Sequence, residues 1–237
     1  MSCDLAPHRW LGDFRAVYIV TIASDHESTI DGGGTRGRIL DAAEQLFAGQ
    51  GYESASVRTI MRAADAPLGL LSYYFGSKDA LLEAVVARRA SALTALRLEG
   101  LEAIPAAEMS VEALVEAYYG TVTEIVTSRD AGWRAYVRLL NQLSQSDRWA
   151  GLVEKYFVPT GQSFIEQLQS CAPGVSQARA KQAWVFGVSA AFFLFAAAGR
   201  VGAECRPADN DFQALRRFIA GGLRATLGLP PAPDEAV

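Results

Sequence analysis

The sequence predicts an all-α fold, on three observations. Apolar residues recur at i, i+3, i+4 and i+7 through most of the 237 residues. No alternating apolar–polar run is long enough to make a strand. Gly, Pro and Ser punctuate the chain at helix-length intervals.

The elements follow in order. Residues 1–34 read as a disordered tail ending in Asp31-Gly32-Gly33-Gly34, a flexible linker. Trp10, Phe14, Val17, Tyr18 and Ile19 supply at most one short amphipathic turn. Thr35 is the expected cap of a first helix whose apolar face is Ile39, Ala42, Ala43, Leu46 and Phe47. Gly49 and Gly51 stop it. Ser54 or Ser56 caps a second, short helix carrying Val57, Ile60, Met61 and Ala64. Asp65-Ala66-Pro67 is a turn, because Asp tolerates the left-handed conformation of a tight helix exit. Pro67 suits the first turn of a third helix, Leu68 to about Tyr74. Ser77 then caps a long fourth helix, with Asp79 in its first turn and Leu81, Leu82, Val85 and Val86 facing inward.

Beyond residue 100 the pattern stays helical. Ser110 caps a helix carrying Val111, Leu114, Val115, Tyr118, Val122 and Ile125. Another helix is expected from about Asp130 to Leu143, and a third from about Ser146 to Leu168 with an interruption near Pro159-Thr160-Gly161. Ser176 caps a long apolar helix reaching about Val201. Asp209 or Asp211 opens a last one, ended by Gly228 and Pro230.

Composition narrows the function. Three widely spaced cysteines cannot build a disulfide framework or a zinc knuckle. The two histidines, His8 and His26, both lie in the tail, so histidine-based catalysis and His-rich metal sites have no residues in the body. There is no paired-carboxylate motif, Gly-rich phosphate loop or HExxH. The expectation is no enzyme, no metal and no cofactor. The 18 uncharged residues between Lys181 and Arg200 touch the lower limit for a membrane span, but Gln, Ser, Gly and Ala dilute them. A buried interface helix and no membrane are expected. Net charge is −4 over the whole chain. Only residues 35–97 lean positive, with 8 basic and 6 acidic side chains. A small basic module on an acidic body fits a DNA reader attached to something else.

Residues 55–74 (helix, turn, helix) have the spacing of a helix-turn-helix. In that motif the second helix enters the major groove while the first crosses the backbone. Here Gly69 and Ser72 permit close approach to base edges, and Pro67 sets the entry to the reading helix. Leu68 and Leu70 suit either a core or thymine methyls, and Tyr73 and Tyr74 either a core or hydroxyl contacts to phosphates. Ser56 and Arg58 open the supporting helix, Lys78 the fourth helix, and Thr35, Arg36 and Arg38 the first, all placed for flanking phosphates. Phe75 is expected in the core.

The segment from Thr35 to Val86 resembles the N-terminal domain of the TetR family of bacterial transcriptional regulators. The resemblance rests on ILDAAEQLF, Gly51-Tyr52, Ser56-Val57-Arg58-x-Ile60 and Tyr73-Tyr74-Phe75-Gly76-Ser77-Lys78-x-x-Leu81-Leu82. Asp65 departs from the family's usual Gly, Pro67-Leu68 from a common Ser-Lys, and Ser72 from a common Tyr. These positions lie on the reading helix, so no operator sequence carries over.

The resemblance implies a DNA-binding domain over 35–82 and a helical ligand-binding and dimerisation domain over 83–230. It implies a cytoplasmic homodimer paired through about 176–201 and 209–227, sitting on a palindromic operator in double-stranded DNA. It also implies repression relieved by a small-molecule effector; a TetR-like activator and a helical enzyme are the alternatives. Tyr118, Trp133, Tyr136, Trp184 and Phe192 are candidate pocket residues or packed core, and Arg134 and Arg138 candidate partners for an acidic effector.

Overall fold

A computed structural model of the chain describes residues 34–123, 131–197 and 211–232. Among them every regular element is helical, as expected. The helices α1 (Thr35–Gln50), α2 (Val57–Ala63) and α3 (Gly69–Tyr74) fold around the start of α4 (Lys78–Glu102). Ile39, Ala43, Phe47, Ile60, Leu81, Leu82 and Val85 are wholly enclosed between them. The second half contains α5 (Val111–Val115), α6 (Ala131–Ser144), α7 (Ala150–Cys171), α8 (Gln177–Ala197) and α9 (Asp211–Leu227). The last turn of α5 widens into a π turn over Glu116–Gly120. In this half α8 and α9 lie against each other, α6 packs on α1, and α7 packs on α4.

Local chemistry explains most boundaries. Ser56, Ser77 and Ser110 accept from the N–H three residues on, at 3.1, 3.1 and 3.2 Å, and so cap α2, α4 and α5. Ser176 does the same for α8 at 3.3 Å. Asp65 takes the left-handed conformation, φ 47°, at the turn between α2 and α3. Among the described residues it is the only non-glycine there.

Two expectations fail. Thr35 is not the cap of α1: Gly34 holds that position with no side-chain bond, and Thr35 is the first helical residue. Its hydroxyl accepts from Arg38 instead, at 3.3 Å. Nor does the chain break at Pro159, since α7 runs through it from Ala150 to Cys171. An interior proline costs about 3 kcal/mol, but this one faces solvent while Thr160, Gly161, Phe164, Ile165 and Leu168 anchor the opposite face. The tail over 1–33, Ile125, Asp130, and residues 198–201 and 209–210 of the expected dimer helices lie outside the described residues. Among the described residues no helix is long and apolar enough to cross a membrane.

One continuous hydrophobic core joins the two halves, and α4 crosses from 82 to 83 without a break. A buried ionic network adds to it. Glu44 of α1 is enclosed, accepts from Arg89 at 2.9 and 3.1 Å, and accepts from Arg88 at 3.0 Å. Arg88 also reaches Asp41 at 2.6 Å. From α6, Tyr136 donates to the Val86 carbonyl and Gln142 to the Ala48 carbonyl, both at 3.1 Å.

Candidate nucleic-acid interface and aromatic core

The short α3 is held by Leu71 and, in part, Leu70, and offers its other side chains to solvent. Leu71 is buried, while Pro67, Leu68, Gly69, Ser72, Tyr73 and Tyr74 are exposed. Leu68 keeps 51% of its surface and Tyr73 79%. Water would ordinarily drive such apolar surface inward. The two alternatives for the leucines therefore separate: Leu70 packs against the core, and Leu68 stands open beside Gly69. Phe75 is only partly buried, packed against the core rather than within it.

The basic side chains fall into two groups. Arg38 donates to the carbonyls of Ala64 and Asp65 at 3.1 and 3.5 Å, bracing the turn that enters α3. Arg36 lies over the Phe75 ring, 5.2 Å from its centroid. Lys78 folds back on Tyr52, donating to its carbonyl at 2.5 Å with the ammonium 4.1 Å from the ring centroid. These three are the residues expected at phosphates; each also props the motif from within. Arg58 is exposed and has no carboxylate partner among the described residues. Arg62, which the sequence reading missed, stands exposed one turn further along α2. The i, i+4 spacing from Arg58 was the available signal.

A clasp joins this module to the second half. The connection between α6 and α7 carries Arg148 and Trp149. Arg148 pairs with Glu53 at 2.6 Å and Asp79 at 3.3 Å, and lies over the Tyr52 ring at 4.9 Å. Trp149 meets Tyr52 edge-on at 4.8 Å, and the Tyr52 hydroxyl bonds Asp79. Burial first, then that bond, pushes the Tyr52 hydroxyl up to about 12. The same bond, followed by Arg148, holds the Asp79 carboxyl below its ordinary value.

The pocket candidates separate into two clusters. Tyr118 and Trp184 are buried and meet edge-on at 4.5 Å, with Phe164 stacked on Trp184 at 5.5 Å. Trp133 and Tyr136 pair at 5.8 Å elsewhere, with Arg89 over the Trp133 ring. Phe192 is half-buried. Arg134 and Arg138 are exposed on α6.

This geometry can be set beside known proteins. The family described as bacterial regulatory proteins, tetR family, matches residues 39–85. The family described as tetracyclin repressor-like, C-terminal domain, matches residues 116–222. The chain belongs to the TetR family. Among its relatives is the HTH-type transcriptional regulator UidR of Escherichia coli, 35% identical over 81 residues, or 34% of this chain and 41% of the relative. The HTH-type transcriptional regulator BetI of the same species is 29% identical over 103 residues, 43% of this chain and 52% of the relative. The chain thus spans about half the length of these relatives. The solved fatty acid degradation regulator FadR from Bacillus halodurans superposes with a TM-score of 0.62 over 81% of this chain and 97% of that one. At 18% identity that likeness shows the fold.

The TetR-family chain contains two functional candidates that the sequence reading passed over, Arg97 and Tyr119. Arg97 continues the every-fourth-residue stripe Leu81, Val85, Arg89, Leu93 on the buried side of α4. That signal was available. Tyr119 was not readable, because the lack of a partner for its hydroxyl among the described residues depends on the distant α8 packed against it.

Proposed function

We propose that this TetR-family chain is a dimeric DNA-binding transcriptional repressor, released from its operator by a small-molecule effector. The observation that carries the reading is α3 itself: Leu68 and Tyr73 exposed on a helix fixed from behind by Leu71. Leu68 fits a thymine methyl, Gly69 and Ser72 allow the backbone close to base edges, and Arg58 and Arg62 supply phosphate charge. The dimer reading is supported by Val185 and Phe186 on α8 and Phe218 on α9, which are 49%, 55% and 70% exposed. At Gly221 and Gly222 a side chain would meet open space. Those helices offer a second copy an apolar face of the kind a four-helix interface uses. Two reading helices about 34 Å apart would then match a palindromic site in successive major grooves.

The effector acts through α4 in this reading. Its first turns sit in the reading module and its far turns among α5 and α7. Lys78 and Arg97 lie about 28 Å apart along it at 1.5 Å per residue. A tilt at one end moves the other, and a coupling of about 1–3 kcal/mol changes DNA affinity about 5–150-fold. The protein would work in the cytoplasm, without metal or cofactor. Titrating the protein onto duplex DNA across a salt series tests the reading. Log affinity should fall linearly with log salt, and Arg58→Ala should lower the slope by about 1 per half-site. Salt-insensitive binding contradicts it.

A further inference from the structure

Arg97 is 4% exposed, yet no carboxylate meets it among the described residues. Its Nε donates to the Tyr118 carbonyl at 3.4 Å, and its guanidinium lies 3.7 Å from the centre of the Tyr118 ring. The acids of neighbouring elements are engaged elsewhere. Glu116 pairs with Arg216 at 3.1 Å, and Glu112 with Arg224 at 3.1 Å. Glu44 holds Arg88 and Arg89. A buried arginine without an anion is costly, and a carbonyl and a ring offset only part of that cost.

Beside it stands a second unsatisfied group. The Tyr119 hydroxyl is buried and has no hydrogen-bond partner among the described residues. It abuts α8 so closely that a Cβ on Gly187 would lie 3.1 Å from it. The π turn sets Tyr118 and Tyr119 side by side, and such turns gather at functional sites. Tyr118 then meets the stacked pair Phe164 and Trp184 edge-on, at 4.9 and 4.5 Å. One guanidinium, one unpaired hydroxyl and an aromatic wall thus surround a single turn of helix.

We propose that this cluster is an effector subsite for a small apolar or planar molecule bearing a carboxylate. The carboxylate meets Arg97, the apolar body lies against Trp184 and Phe164, and Tyr119 donates to a polar atom of the ligand. Arg97 is well suited because a guanidinium binds a carboxylate with two parallel N–H donors. Only the consequence for DNA rests on the repressor reading; the binding chemistry does not.

Phenylacetate, naphthoate and dodecanoate, each against its neutral amide, are the probes, with calorimetry and thermal melting of the full chain as readouts. At least one carboxylate should bind wild type at least about tenfold tighter than its amide, the factor a charge-assisted hydrogen bond supplies. Arg97→Met should erase that preference, Arg97→Lys should keep part of it, and Tyr119→Phe should weaken binding while keeping the preference. Unliganded Arg97→Met should melt at or above the wild-type temperature, since an uncompensated buried charge leaves with the side chain. No preference for any carboxylate, a preference that survives Arg97→Met, or a lower melting temperature for that variant overturns the proposal. DNA affinity is read separately. A carboxylate that binds without changing it contradicts the repressor reading and leaves the subsite standing. Salt-dependent DNA binding with no carboxylate preference overturns the subsite alone.

Discussion

Arg88 and Arg89, in the half of α4 that supports the helix-turn-helix, share Glu44 at 2.9–3.1 Å, and Arg88 also holds Asp41 at 2.6 Å. Two turns further along the same helix, Arg97 is as deeply buried and, among the described residues, meets a carbonyl and a ring and no carboxylate. The same residue type on one helix is thus held in two ways. In the reading half the charge is closed off by protein, which fixes α1 against α4 and so fixes the angle of α3. In the half that we propose senses the effector, no carboxylate closes the charge off among the described residues. Rigidity at one end and incomplete satisfaction at the other is what a lever needs, because a ligand shifts an equilibrium only by its differential affinity for two states.

The largest way to break this contrast is at Glu44. Glu44→Gln strands Arg89 and should cost about 3–5 kcal/mol in urea unfolding. A loss under about 1 kcal/mol would mean the two arginines are not differently held. Next is the apolar face of α9, where Phe218→Asp should leave the fold intact and yield monomers by sedimentation. Its DNA affinity should drop at least about a hundredfold as the second half-site becomes an independent event. Dimers that persist would move the partner surface elsewhere. A smaller effect is expected at Leu68. Leu68→Ser should cost about 1–3 kcal/mol on a preferred duplex and little on a random one, measured by fluorescence anisotropy. Equal losses on both would make Leu68 a positioning contact.

The smallest effect concerns the clasp. The Asp79 carboxyl is held low, so its contribution is present above the unfolded value and is lost as pH falls through the folded one. Tyr52 is raised to about 12, so its contribution is full below the ordinary tyrosine value of 10.0 and is lost as pH rises toward 12. Asp79→Asn should therefore flatten the acid limb of the urea midpoint against pH, and Tyr52→Phe the alkaline limb. Unchanged limbs in both variants would show that the two groups are not coupled in solution.

Much of this was readable in the sequence because the determinants are local. Ser56, Ser77, Ser110 and Ser176 cap where a serine precedes an apolar stripe. Asp65 takes the left-handed turn that its side chain tolerates. What was not readable depends on distant partners. That Arg38, a phosphate-contact candidate, also braces the Ala64 carbonyl 26 positions away is visible only in the fold. The Pro159 break was expected from propensity alone and was overruled by the packed face beneath it. Trp133 and Trp184 looked alike as aromatics on apolar stripes; only tertiary packing sends one toward α4 and the other toward Tyr118.

Selection of bound sequences from a random duplex pool, with wild type and Leu68→Ser side by side, tests the central claim most directly. The account predicts an inverted repeat whose half-sites lie about one helical turn or a multiple apart, with sequence preference in each half-site relaxed by Leu68→Ser. Enrichment of no sequence, or of an unpaired motif indifferent to Leu68, would contradict it.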